Sequence, residues 1–432
     1  MDLVLRRARL RRISDIRDIG ISDGRIIAVE PSIDAAAAEQ IDLDGRLVLP
    51  GFVNPHLHLD KVLFGERTRE DQAGTVEEGF RRTWAFKRAY TVDDVRDRAL
   101  RVLRVALANG TLALRMFADV DTYAELTAVR GLMAARKAFS PFMTLQLVAF
   151  PQEGIFSHPG TEARMRQALD LGADVIGGLP WVEATHEEQR QHIDLVFELA
   201  KEHDADIHML VDDTLDPSSR TLEYLALKTQ RESYQGRVAA SHCCALSMYD
   251  PYHAARVIEL VKAANVTIVS NAHISLVDQG QRLPEPRPRG ITRVRELLQA
   301  GVNVASAQDD VDDPYYPFGK PDQLEVAWTM AHVAQLTARA DLDIVLDLVT
   351  DNAARAMRLG DYGVVPGAWA DLVVLEAAGI HEALRLQAER AYVLRRGRVV
   401  ARTRHETTLF LEGRDGQRLE SSGRLATTTR SP

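Results

Sequence analysis

Between residues 47 and 310, eight short apolar runs alternate with longer stretches whose apolar residues recur at i, i+3, i+4 and i+7. The runs are LVLPGFVNPHLH (47–58), TLALRMFADV (111–120), FMTLQLVAF (142–150), ADVIGGLP (173–180), ADIHMLV (205–211), RVAASHC (237–243), VTIVSN (266–271) and VNVASAQDD (302–310). Amphipathic stretches such as VRDRALRVLRVALANG, HIDLVFELAKEHD and AARVIELVKAANV separate them, and several end in the Gly or Asn that closes a helix. Strand then helix, repeated, builds a parallel sheet, and eight such units predict an α/β fold of the (β/α)₈ TIM-barrel type.

The two ends of the chain have a different texture. Residues 1–50 read as short strands with turns, Asp23-Gly24 and Asp44-Gly45 each standing at a hairpin position. PGAWADLVVLEA and YVLRRGRVVARTR repeat that pattern near the other end. The expected organisation is a composite β-sandwich domain from 1–50 plus 362–412, a barrel over 51–361, and a weakly ordered polar tail over 413–432.

Composition narrows the function. With 46% hydrophobic residues the chain can bury a large core, and a formal net charge of −9 speaks against nucleic acid or an anionic membrane as partner. The N-terminus lacks a signal-peptide core, no run approaches a membrane span, and the two cysteines, Cys243 and Cys244, are sequence neighbours unsuited to a structural disulfide. The expectation is a cytoplasmic protein acting on a small molecule, with a homo-oligomer left open.

Barrel chemistry sits at the C-terminal ends of the strands. Here those ends are polar: His56-Leu57-His58 on the first, Pro151-Gln152-Glu153 after the third, Asp212-Asp213 after the fifth, Ser241-His242 on the sixth and Asp309-Asp310 on the eighth. Alternation along a strand puts His56 and His58 on one face, where two imidazoles can hold one metal ion. His-X-His alone is weak evidence; converging polar ends from several strands mark an active site.

The segments PGFVNPHLHLDK, VAFPQEGIF, ASHCCAL, RGITRVRELLQAGVNV and QDDVDDPYYPFG resemble the cytosine deaminase branch of the amidohydrolase superfamily, over about residues 40 to 400. The resemblance implies one divalent ion, zinc or iron, activating a water against a ring carbon. It implies His56, His58 and Asp309 as metal ligands, His242 as the residue that orients the water, and Gln152 as a contact to the substrate ring. Binuclear relatives carry a bridging lysine after the fourth strand; GGLPWVEAT has none, which favours one ion.

The fifth strand departs from the family. Where relatives read His-X-Asp-Glu, this chain reads Leu210-Val211-Asp212-Asp213, and a leucine cannot bind a metal. His242 is the preferred replacement ligand, giving His56, His58, His242 and Asp309; His208 lies two residues deeper, ~6–7 Å down the strand. Asp213 takes the place of the proton-shuttling glutamate, or else caps the helix that follows. Phe117, Gln308 and Tyr315 also differ from residues common in relatives, and Tyr315 is expected to help hold the ring. The favoured function is hydrolytic deamination of an aminopyrimidine-, pterin- or triazine-like ring, with Asp213, His242 and Asp309 as the catalytic groups. The alternatives are an N-dealkylating or cyclic-amide hydrolase on the same barrel, or a metal-poor barrel that only binds.

Overall fold

The computed structural model describes residues 1–64, 76–281, 283–407, 409–412 and 418–421. Its centre is a ring of parallel strands: β1 (Phe52–Leu57), β2 (Thr111–Asp119), β3 (Thr144–Phe150), β4 (Val175–Gly178), β5 (Asp206–Val211), β6 (Val238–His242), β7 (Thr267–Ser270) and β8 (Val304–Ser306). Each pairs with the next in chain order. A parallel bridge between Leu57 and Asp309 joins the last to the first. There the His58 N–H donates to the Asp309 carbonyl at 2.9 Å, and the Asp309 N–H donates to the His56 carbonyl at 3.0 Å. The sheet is thus a (β/α)₈ barrel.

Packing explains why continuous apolar runs became the strands. β2 is buried at every position, because one face meets the barrel interior and the other the surrounding helices. Val53, Ala113, Ala239, Val269 and Ala305 fill the floor of the barrel against Ala353 and Met357. Outside, the helix Val92–Ala108 starts at Thr91, whose side chain accepts from the Asp94 N–H, and buries Val95, Ala99, Val102 and Leu103.

The run 47–58 is not one strand. Leu47–Pro50 pairs antiparallel with Leu372–Leu375 in a second sheet, and the chain then passes into β1. Gly51 is the pivot: a Cβ there would lie 2.5 Å from the Leu112 side chain, so only glycine lets the two segments approach β2. The second sheet unites both chain ends, with Leu3–Leu10, Arg17–Ser22, Arg25–Glu30, Glu39–Asp42 and Leu47–Pro50 from one and Leu372–Leu375, Arg390–Arg395 and Arg398–Ala401 from the other. Leu5, Ile19, Ile21, Val48, Leu372 and Leu394 form its own core.

Asp23 and Gly24, with φ of 50° and 75°, make the expected hairpin turn between Arg17–Ser22 and Arg25–Glu30. Asp44-Gly45 turns without making a hairpin. The strands on either side of it both run parallel to Leu3–Leu10, which is bulged between Leu5 and Ala8 and receives them one after the other. Of the polar tail, Arg418–Ser421 pairs with Leu409–Glu412, and the rest of 413–432 lies outside the described residues. No helix among the described residues is long and apolar enough to cross a membrane.

Two buried carboxylates tie the barrel mouth together. Asp212, in the left-handed region at φ 48°, follows β5 and accepts from the Thr221 N–H, the Thr221 hydroxyl and the Ser219 hydroxyl, each at 2.7 Å, and from the Leu222 N–H at 3.0 Å. It therefore caps the helix Thr221–Arg231 from the strand end. The helix cap, the alternative reading of Asp213, belongs to its neighbour, because the helix begins only at Thr221. Glu183, after β4, accepts from the N–H groups of Ile155 (2.6 Å), Phe156 (3.2 Å) and Ser157 (2.9 Å) and from His192 Nδ1 (2.7 Å). His192 Nε2 in turn accepts from the Leu179 N–H at 3.0 Å, which places the proton on Nδ1. A Cβ on Gly154, whose φ is +86°, would sit 3.0 Å from the Glu183 carboxylate, so the glycine lets the loop wrap it.

Asp212→Ala should destabilise the protein by about 1–3 kcal/mol, read from the urea midpoint, since buried donors lose a charged acceptor. Asp213→Asn, which leaves those bonds in place, should shift the midpoint less than Asp212→Ala does. Burial opposes ionisation of Glu183, but the bond from His192 and the backbone donors outweigh it and hold the carboxyl at about 2 against an ordinary 4.5. A depressed carboxyl stabilises fully above its ordinary pKa and loses that contribution as pH falls towards the folded value. Glu183→Gln should therefore melt below the parent at pH 7, with the gap closing between pH of about 4.5 and about 2; a gap independent of pH would contradict this account.

Candidate active site

Barrel closure brings β1 and β8 side by side, and with them three donor atoms. His56 Nε2 lies 3.2 Å from His58 Nε2 and 3.1 Å from Asp309 Oδ1, and His58 Nε2 is 3.6 Å from the same oxygen. Donors arranged tetrahedrally about 2.0–2.2 Å from one ion stand roughly 3.3–3.6 Å from each other. Asp309 Oδ1 is buried with no hydrogen-bond partner. Burial, helped by the neighbouring cationic groups, lowers both histidines well below their ordinary pKa, so each offers a lone pair. An unsatisfied carboxylate oxygen facing two neutral imidazoles fits a divalent cation, and a nitrogen–oxygen donor set suits zinc or iron.

The rings are held from behind. His56 stacks on Phe117 with centroids 4.0 Å apart and planes 10° apart, and its Nδ1 meets Ser241 Oγ at 2.7 Å. His208 lies beneath, its Nε2 2.7 Å from the same hydroxyl and its Nδ1 accepting from Arg115 at 3.0 Å. That histidine is a satisfied interior residue. Leu210 packs with Phe117, Val148 and Phe150, so the position where relatives carry a ligand is an apolar wall. Phe117 lies within its strand, which runs on to Asp119.

His242 ends β6 in the left-handed region at φ 68°, as Asp309 does beyond β8 at φ 69°. Non-glycine residues held there at two converging strand ends are the kind of backbone strain that collects at functional sites. His242 Nε2 lies 3.4 Å from Asp309 Oδ2, and Nδ1 lies 3.2 Å from Asp213 Oδ1. His56, His242 and Asp309 form one group able to hold a metal ion. Burial opposes protonation of His242, yet Asp213 and Asp309 raise it to about 9, while burial, with Asp213 and Asp313 adding to it, raises Asp309 to about 7. Asp213 also accepts from Gln279 Nε2 at 3.1 Å.

On the other side of the mouth is a buried charge network. Lys61 Nζ is 2.7 Å from Asp119 Oδ1, 2.9 Å from Gln152 Oε1 and 3.0 Å from His58 Nδ1. Lys87, on the helix Val76–Lys87, reaches Asp119 at 2.5 Å, Asp121 at 2.8 Å and Glu153 at 2.8 Å. Burial would discharge both lysines, but the carboxylates raise their pKa values instead. Lys61 is thus a buried cation that ties Gln152 to His58 and Asp119. The Tyr315 hydroxyl accepts from Thr83 of the same helix at 3.4 Å, and Gln308 turns inward to donate to the Asp310 carbonyl at 3.3 Å.

Sequence reading named His56, His58, Asp213, His242 and Asp309, which the fold gathers, and Gln152, which it places next to them through Lys61. It passed over Asp119, Lys87 and Asn271. Asp119 is the last residue but one of the second run and Asn271 the last of the seventh, and the rule that strand ends carry the site would have found them. Lys87 gave no such signal, because it comes from a helix whose position over the mouth is a tertiary fact.

A model of the amidohydrolase family matches residues 63–401. The fold superposes on the crystal structure of 5-methylcytosine deaminase from Klebsiella pneumoniae liganded with 5-fluorocytosine, with a TM-score of 0.90 and 36% identity over 94% of this chain and 99% of that one. In sequence the chain is 31% identical to N-isopropylammelide isopropyl amidohydrolase of Pseudomonas sp. (strain ADP), covering 93% of this chain and 97% of that protein. It is 30% identical to pterin deaminase of Rhizobium rhizogenes (strain K84 / ATCC BAA-868), covering 89% and 88%. The chain belongs to the amidohydrolase family, in its cytosine deaminase-like branch, and is a hydrolase acting on carbon–nitrogen bonds.

Proposed function

We propose that this protein hydrolyses an exocyclic C–N bond of a small nitrogen heterocycle, an aminopyrimidine, pterin or triazine, and releases ammonia. The observation that carries the reading is the convergence of His56 Nε2, His58 Nε2 and Asp309 Oδ1 at 3.1 to 3.6 Å beside the His242–Asp213 pair. Relatives named for cytosine, pterin and ammelide chemistry support the substrate class. Two free, buried cysteines are in keeping with a reducing cytoplasm.

His56, His58 and Asp309 would hold one zinc or iron ion. When bound, such an ion supplies Lewis acidity and makes water a nucleophile near neutral pH. Three protein ligands are a full complement for a catalytic site that keeps one position open, so Leu210 need not be replaced by another ligand. His242 is then free for proton work: Asp213 sits at Nδ1 and steadies its imidazolium form, which can give the Nε2 proton and take one back. Water oxygen joins the ring carbon, the C–N bond breaks as His242 gives a proton to the departing nitrogen, and one water proton restores His242 while the other stays on the product. Gln152, fixed by Lys61, and Tyr315 hold the ring.

The purified protein should carry close to one equivalent of zinc or iron, and His56→Ala should lose both metal and activity. Active protein free of metal in elemental analysis would refute the ligand set. Asp213→Asn keeps the shape but removes the charge beside His242 Nδ1. It should lower kcat on cytosine, 5-methylcytosine or pterin, assayed by ammonia release, on the order of 10²-fold or more; an unchanged kcat on whichever of these is turned over would remove Asp213 from the mechanism.

A further inference from the structure

Asn271 directly follows β7 and is buried at 1% exposure. Its Nδ2 lies 3.0 Å from Asp309 Oδ2, 3.2 Å from His242 Nε2 and 3.3 Å from His56 Nδ1. An amide nitrogen can only donate, and a carboxylate is the strongest acceptor of the three, so the bond to Asp309 fixes which way the amide faces. Its other atom gains nothing from this arrangement. Asn271 Oδ1 is buried with no hydrogen-bond partner, an arrangement that costs stability. The side chain is therefore placed for what its nitrogen does.

What the nitrogen does is treat the two oxygens of Asp309 differently. Oδ2 is engaged by Asn271 and faces His242, while Oδ1 has no hydrogen bond and faces the two Nε2 atoms of β1. We infer that Asn271 is a positioning residue that sorts the oxygens of Asp309, holding Oδ2 so that only Oδ1 is offered to the ion. The inference rests on the ligand set proposed above. A carboxylate free to turn chelates a cation through both oxygens and fills the position a water needs; one held on its far side binds through a single oxygen. The same bond keeps Oδ2 opposite His242 Nε2.

The test uses the whole protein loaded with cobalt(II), whose visible spectrum reports coordination number, in the parent, Asn271→Leu and Asn271→Ser. Leucine keeps the volume without a donor, and serine keeps a shorter donor. The parent should show the intense band of a low-coordinate site. Asn271→Leu should show the weak band of a higher-coordinate one, with cobalt affinity reduced roughly 10–100-fold in competition with a chromophoric chelator. Asn271→Ser should fall between, and it carries the test alone if the leucine variant does not fold. Variants that bind cobalt with the parent's spectrum and affinity overturn the inference and leave the ligand set standing. A parent that takes up no cobalt overturns the ligand set, and the inference with it.

Discussion

The pair of backbone hydrogen bonds that closes the barrel, His58 N–H to the Asp309 carbonyl and Asp309 N–H to the His56 carbonyl, is the interaction on which the site depends. Without it, β1 and β8 are the two open edges of a sheet, and their side chains lie as far apart as the sheet allows. With it, residues separated by some two hundred and fifty positions in sequence become direct neighbours, and the side chains of His56, His58 and Asp309 must share one space. The bridge is short: β8 proper ends at Ser306, and the chain reaches Asp309 in the left-handed region. That turn aims the carboxylate across the mouth instead of along the strand.

Closure also explains the charges around the mouth. A barrel of this size has a dry interior, where an isolated ammonium or carboxylate is costly. Lys61 and Lys87 are tolerated because Asp119 accepts from both, with Asp121, Glu153 and Gln152 completing their shells. Removing one member would leave another charge buried and unpaired, which is more damaging than loss of the whole group. The network thereby fastens the helix Val76–Lys87 and the Gln152 loop to the first and second strands. Glu183 fastens the same loop from the far side, so Gln152 is held between two buried charge clusters.

At the fifth strand the chemistry is divided differently from what its sequence suggested. Asp212 is spent on the helix that follows, Leu210 makes an apolar wall with Phe117 and Phe150, and Asp213 alone turns towards His242. An apolar wall has its own consequence, since it lowers the local dielectric around the histidines and strengthens every charge interaction that remains. The proposed His56, His58 and Asp309 set needs no help from this strand.

The sequence by itself determined the (β/α)₈ barrel, because eight apolar runs separated by helical periodicity leave few other solutions. It also fixed which residues stand at strand ends, which is why His56, His58, His242 and Asp309 could be named from the chain alone. Periodicity is a local property, and it ran out where contacts are not local. Whether the run at 47–58 was one strand or two depended on Gly51 meeting Leu112, and whether Asp212 or Asp213 capped a helix depended on where that helix began. The partners of Lys61, the burial of Lys87 and the contact of Asn271 with Asp309 each join elements distant in sequence. Only the closed barrel decides such contacts, because hydrogen-bond partners and burial depend on distance in space.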